Sequence, residues 1–191
     1  MSIRVALILA LTTLAACNGI RPAATSHEML DEQTGSMVST VDRPLVFARE
    51  RIDVAAHARD YATLVAVELD QSGTNNDFLL LYRWSTVDRR MSPPPEAEAG
   101  ALQILADGRT IDLAPLERAP LDLSRRKELH LPEHGDVVAR GYKVEVGTLR
   151  YIATSRELTL RMPQEKLDSP FTIFEDGRKS LGRFVQRAGA P

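Results

Sequence analysis

His130, Glu133, His134 and Asp136 are the densest set of potential metal ligands in the chain, because imidazole and carboxylate donors this close together are what zinc-like ions take. Pro132 stands between the two histidines and breaks the helix that would put them on one face. The His-Glu-x-x-His order of zinc proteases is also absent, so the segment reads as a solvated loop. Asp70, Asn75, Asn76 and Asp77 gather oxygen ligands of the kind calcium prefers, but without the alternation and closing Glu of an EF-hand loop. Asn and Asp favour turns in their own right, and that explains the group without an ion. No metal and no cofactor is expected. Trp84, Asp88 and Arg89, with Ser85, Thr86 and Arg90 around them, bring an indole, hydroxyls, a carboxylate and guanidiniums to the end of one segment. They are the candidate ligand or partner surface. The competing reading packs Trp84 in the core and leaves the charges in water. There is no Gly-x-Ser-x-Gly elbow, no Gly-x-x-x-x-Gly-Lys loop and no Ser-x-x-Lys set, so no catalytic residue is assigned. A hydrolase with an unfamiliar site would draw on His130, His134 and Asp136.

The single cysteine of the 191 residues, Cys17, closes the run Leu14-Ala15-Ala16-Cys17. Ahead of it, Arg4 gives a one-charge start. Residues 5–16 then carry no charge and only Thr12 and Thr13 as polar side chains. That run is of signal-peptide length, and is too short for the about 20 residues a spanning helix needs. The ending resembles the lipobox of bacterial lipoproteins. The resemblance implies cleavage behind Ala16, a diacylglyceryl group on the Cys17 thiol and a further, palmitate-type acyl chain on its amine. A lone cysteine in an exported chain can form no internal disulfide, which agrees with modification. Each buried CH₂ contributes about 0.8 kcal/mol, so several acyl chains anchor durably. Asn18, in place of the Asp that retains such proteins at the inner membrane, points by the same resemblance to the outer membrane, facing the periplasm. The stretch Trp84-Ser-Thr-Val-Asp-Arg is also similar to segments of uncharacterised β-rich bacterial lipoproteins, a likeness that implies an anchored β domain and no activity.

The elements that must position these groups read as all-β. Residues 1–16 form the signal peptide, residues 17–36 a flexible tether rich in small and polar side chains, and residues 37–191 one domain. Without the leader the chain has 23 basic and 26 acidic side chains, a formal charge of −3, and no electrostatic case for nucleic acid. Short apolar runs punctuated by turn residues predict an antiparallel sandwich of about eight strands. The clearest pair is 61–70 and 77–87. In the first, Thr63, Val65, Val67 and Leu69 share one face and Glu68 and Asp70 the other, so it is expected to flank solvent. In the second, Phe78, Leu80, Tyr82 and Trp84 share a face while Leu79 and Leu81 make the other face apolar, so it is expected to be central. Asp107-Gly108 and Asp176-Gly177 each predict a two-residue hairpin turn. Residues 142–146, 149–153 and 158–162 complete a meander. Residues 47–61 read as an extended or short helical connection. Pro93-Pro94-Pro95 forms a semi-rigid loop, and Arg125-Arg126-Lys127 is a solvated basic run able to meet anionic headgroups.

The function these features favour is a lipid-anchored, non-catalytic interaction or assembly module of the cell envelope. It would be tied to the membrane through Cys17 and offer edge strands to an envelope protein partner. The alternative is a carrier or sensor of a small apolar or envelope-derived ligand, held in a cavity lined by Phe78, Leu80, Tyr82, Trp84 and Tyr142.

Overall fold

A computed structural model describes residues 26–31, 34–87, 100–118, 138–165 and 169–188. Among these residues ten strands make one antiparallel sheet: β1 (Ser26–Asp31), β2 (Ser36–Val41), β3 (Leu45–Glu50), β4 (Arg59–Gln71), β5 (Thr74–Ser85), β6 (Leu102–Ala106), β7 (Arg109–Leu113), β8 (Val138–Lys143), β9 (Leu158–Arg161) and β10 (Phe171–Glu175). The same residues hold two helices, α1 (Val146–Thr154) and α2 (Arg178–Ala188).

The β4–β5 hairpin is the spine. Its strands stay in register from Asp60 opposite Ser85 to Gln71 opposite Thr74. The turn needs only Ser72 and Gly73, at φ of 55° and 83°, and the Gly73 N–H donates to Asp70 Oδ1 at 2.8 Å. On the far side of β4, β3 pairs with its first half and β2 with its second. Residues 41–44 stand opposite only residues 65 and 66, and Pro44 has no N–H to give. The sheet divides at this break. One branch is the β1–β2 hairpin. The other runs β3-β10-β9-β6-β7 and returns to β8, where Pro115 bridges Tyr142 and the Leu116 N–H donates to the Gly141 carbonyl at 2.8 Å. Eight strands therefore form a ring, in place of the two stacked sheets expected from turn spacing.

Cross-strand rows show which face the ring encloses. Phe171, Leu160, Ile104 and Ile111 lie directly opposite one another, as do Ile173 and Phe47. Phe171, Leu160, Ile104 and Phe47 are fully buried, whereas Phe174 and Leu105, on the alternate face, are exposed. In β4 the even positions from Asp60 to Ala66 join this inner face, and the odd positions Tyr61, Thr63, Val65 and Val67 are buried as well. The strand expected to flank solvent is thus covered on both sides. Glu68 and Asp70 had stood for a whole polar face, but the same face is apolar at Ala62, Leu64 and Ala66. β5 is central as expected, with Phe78 to Tyr82 all buried.

Two segments expected as strands are helical. Leu149, Ile152 and Ala153 follow helical spacing and build α1, which ends where Ser155 Oγ turns back to the Ile152 carbonyl at 2.8 Å. Leu181, Phe184 and Val185 do the same in α2, and the two helices pack together, with Gly182 facing Ala153. The two Asp-Gly pairs consequently do different work. Asp107 and Gly108, at φ of 45° and 81°, make the expected β6–β7 turn. Asp176 instead starts α2, its Oδ1 accepting the Arg178 N–H at 3.0 Å. Gly177 has no positive φ. A Cβ there would lie 2.6 Å from the Arg43 carbonyl oxygen and closer still to that of Pro44, so this glycine is a close-approach residue. A last difference concerns the tether: residues 26–31 within it form β1, paired along its length with β2.

Candidate functional site

The end of the ring reached by Glu50, Arg59, Ser85 and Val138 carries distinctive chemistry on both faces of the β4–β5 hairpin. On the inner face, register sets Arg49 opposite Asp60 and Asp60 opposite Ser85. Arg49 Nη2 lies 3.0 Å from Asp60 Oδ2, Arg51 Nη1 lies 3.2 Å from the same oxygen, and Ser85 Oγ donates to Oδ1 at 2.8 Å. Arg49 Nη1 also meets Glu165 Oε2 at 2.7 Å, and Glu165 pairs in turn with Arg83. The Arg49 guanidinium lies 4.2 Å from the centre of the Phe171 ring. Burial alone would raise the Asp60 pKa, but hydrogen bonds from Arg49 and Ser85 and the charges of Arg51 and Arg49 outweigh it, so the carboxyl stays below its ordinary range. Burial lowers the Arg83 pKa, and Glu165 opposes that shift. Buried pairs of this kind fix one arrangement more than they add net stability, because desolvation offsets their attraction.

On the outer face, Tyr61 stacks on Trp84 with ring centroids 3.9 Å apart, and Phe174 meets Tyr61 edge-on at 5.3 Å. Arg59 lies 5.8 Å above the Phe174 ring. Phe174 is 48% exposed, Trp84 half-buried, and Tyr82, one pleat further in, 1% exposed. The Tyr82 phenol oxygen and Trp84 Nε1 are both buried and have no hydrogen-bond partner among the described residues. Burial also pushes the Tyr82 phenol well above its ordinary pKa.

Of the candidate surface read from sequence, Trp84 is therefore at the end of β5 against Tyr61, while Asp88 and Arg89 lie outside the described residues, as do Cys17, His130, His134, Asp136, residues 93–95 and residues 125–127. The expected cavity lining divides. Phe78, Leu80, Tyr82 and Trp84 share the outer face, but Tyr142, opposite Leu79, lies on the inner one and donates to the Gly100 carbonyl at 3.3 Å. The oxygen ligands around the first turn divide too, since Asn76 pairs with Leu69 on the face opposite to Asp70 and Asp77. Among the described residues no group of three His, Cys, Asp or Glu side chains could hold a metal ion.

A second charged row sits at the other end of the hairpin. Glu28, Ser39, Glu68 and Asp77 are directly opposite across four strands. Burial raises the pKa of both Glu68 and Asp77, and Asp77 adds like-charge repulsion at Glu68. Arg187 at the end of α2 answers it, with Nη1 2.7 Å from Glu28 Oε1. Sequence reading missed both rows. Inward alternation in β3, Leu45-Phe47-Arg49, was the only local sign that an arginine points into the ring. Among the described residues no helix is long and apolar enough to cross a membrane. Comparison of the chain with protein-family models, with curated proteins and with solved structures yields no match.

Proposed function

We propose that this chain is a lipid-anchored, non-catalytic interaction module of the cell envelope, held through Cys17 at the outer membrane and using the β1–β2 hairpin to engage a protein partner. The observation that carries the reading is the position of β1, which among the described strands pairs only with β2. Beside that edge, Leu30 and Met37 face each other across the hairpin and are 56% and 43% exposed. A terminal strand with an exposed apolar cross-strand pair is what strand addition uses: backbone hydrogen bonds supply affinity and the side chains register. The curled sheet serves on this reading as the two packed layers of a sandwich would, as a rigid mount for that edge.

The anchor and the edge fit together in length. Ser26, the start of β1, comes nine positions after Cys17. At about 3.3–3.6 Å per residue that stretch reaches at most about 30 Å, so the hairpin would stay close to the bilayer. The test is site-specific photocrosslinking in cells, with the reactive group at Leu30 or, as control, at the exposed Leu105 on the far side of the ring. The reading expects one discrete crosslinked protein from Leu30 that disappears in a Leu30→Asp, Met37→Asp variant crosslinked from Met29. The same products from Leu105 as from Leu30 would contradict it.

A further inference from the structure

The order of side chains along β1 says what kind of strand would fit beside it. The Asp31 carbonyl accepts from the Gly35 N–H across the turn at 2.7 Å, so Asp31, Met29 and His27 direct their backbone groups toward β2, and Glu28 and Leu30 direct theirs away from it. The side chains are accessible. Leu30 is 56% exposed, the His27 side chain 46%, and Glu28 is exposed as well. A strand laid beside β1 therefore bonds through Glu28 and Leu30, and fits best with a carboxylate opposite His27 and a donor opposite Asp31. β1 itself, read backwards, is such a strand: reversal exchanges the places of His27 and Asp31 about Met29.

We propose that the partner of β1 is β1 of a second copy of this chain, paired antiparallel about a two-fold axis at Met29, an inference that rests on the hairpin reading above and names its partner. Identical antiparallel edges must match outward-facing backbone groups with outward-facing ones, which puts the axis at a residue and never between two. Two positions of the axis pair the most of β1. An axis at Glu28 would set the Glu28 carboxylates of both copies face to face, and like charges directly opposite destabilise. An axis at Met29 sets His27 opposite Asp31 of the other copy at both ends, with Glu28 opposite Leu30 in the backbone-bonded pairs between. Imidazole donates to a carboxylate, so each end joins a donor to an acceptor. His27 Nε2 already lies 3.4 Å from Asp42 Oδ1, and Asp31 Oδ2 accepts from Thr34 at 2.7 Å, so the second copy adds to groups that are already oriented. Leu30 of one copy then stands diagonally across from Leu30 of the other, within side-chain reach, with Met37 beside each. The pairing is short, and copies anchored in one membrane meet at the high local concentration it needs.

The full-length Met29→Cys protein is oxidised with copper phenanthroline in the membranes of cells that express it, and separated without reductant. Opposite residues whose backbone groups point away from each other have Cα atoms about 4.5 Å apart, within disulfide reach, so a covalent dimer is expected. His27→Cys is the control, since the axis sets its two copies about 14 Å apart and no dimer should form. The parent controls for Cys17. His27→Glu in the Met29→Cys background sets carboxylate against carboxylate at both ends and should cut the dimer about tenfold, and adding Asp31→Lys should restore it. No dimer from Met29→Cys, more dimer from Glu28→Cys than from Met29→Cys, or an undiminished yield with His27→Glu would overturn the proposal. The photocrosslink from Leu30, which leaves Met29 intact, should have twice the mass of the chain. A different protein captured there, with no Met29→Cys dimer, overturns the second copy and leaves the hairpin reading standing; no discrete product from either position overturns both.

Discussion

Asp60→Asn is the sharpest perturbation of the inner-face charges, because it keeps the shape and removes the charge. The amide oxygen of the variant can still accept from Ser85, but Arg49 and Arg51, 3.0 and 3.2 Å from the carboxylate in the parent, would face a neutral group. Removing one partner of a buried pair costs about 3–5 kcal/mol. Coulomb's law at an effective dielectric of 20 gives a similar figure, about 4 kcal/mol for charges about 4 Å apart. Arg49 keeps Glu165 at 2.7 Å and Arg51 keeps Asp53 at 2.9 Å, which places the loss at the lower end, about 3 kcal/mol. With a urea slope of about 2 kcal/mol per molar, the unfolding midpoint should fall by about 1.5 M. The pH dependence gives a second signature. The Asp60 pKa is lowered on folding, so its contribution is complete above the unfolded pKa of about 3.9 and is lost as pH falls through the folded value. The gap between parent and variant should hold steady from neutral pH to about pH 4 and narrow below it. A midpoint shift under about 0.3 M, or a gap that persists unchanged in acid, would refute the reasoning.

Two further substitutions bear on the helices and the acidic row. Gly177→Ala drives a methyl into the Arg43 and Pro44 carbonyl oxygens and should destabilise by about 2–3 kcal/mol, whereas Gly182→Ala, with its nearest neighbour at 3.9 Å inside α2, should be neutral or stabilise by up to about 1 kcal/mol; thermal unfolding of both distinguishes close approach from helix propensity. Glu68→Gln should stabilise the protein at neutral pH. Because the Glu68 pKa is raised on folding, the parent gains stability as pH falls through that raised value, and urea titrations across this range should show the gain missing in the variant.

What the chain reveals of its own fold follows the reach of each signal. The centrality of β5 was legible because Leu79 and Leu81 are apolar beside Phe78, Leu80 and Tyr82, and only a strand covered on both faces has that composition. The β6–β7 hairpin was legible because Asp107-Gly108 meets a local backbone need. The same dipeptide at 176–177 misled, since its glycine answers a contact with Pro44, more than a hundred positions away. The helices were missed where short segments such as 149–153 hold apolar residues compatible with either period. The inner-face charges were illegible for a stronger reason. Arg49, Asp60, Arg83 and Glu165 come from β3, β4, β5 and the segment after β9, and only the pairing of the three strands and the return of the chain after β9 bring them together.

The central claim, an anchored envelope module, is tested most directly by the intact mass of the protein recovered from membranes, beside a Cys17→Ala variant. The account predicts a chain that begins at Cys17 and carries the added mass of its acyl groups, with both the added mass and the membrane association lost in the variant. An unmodified Cys17 in a chain that retains residues 1–16, or a variant that stays on the membrane, would contradict it.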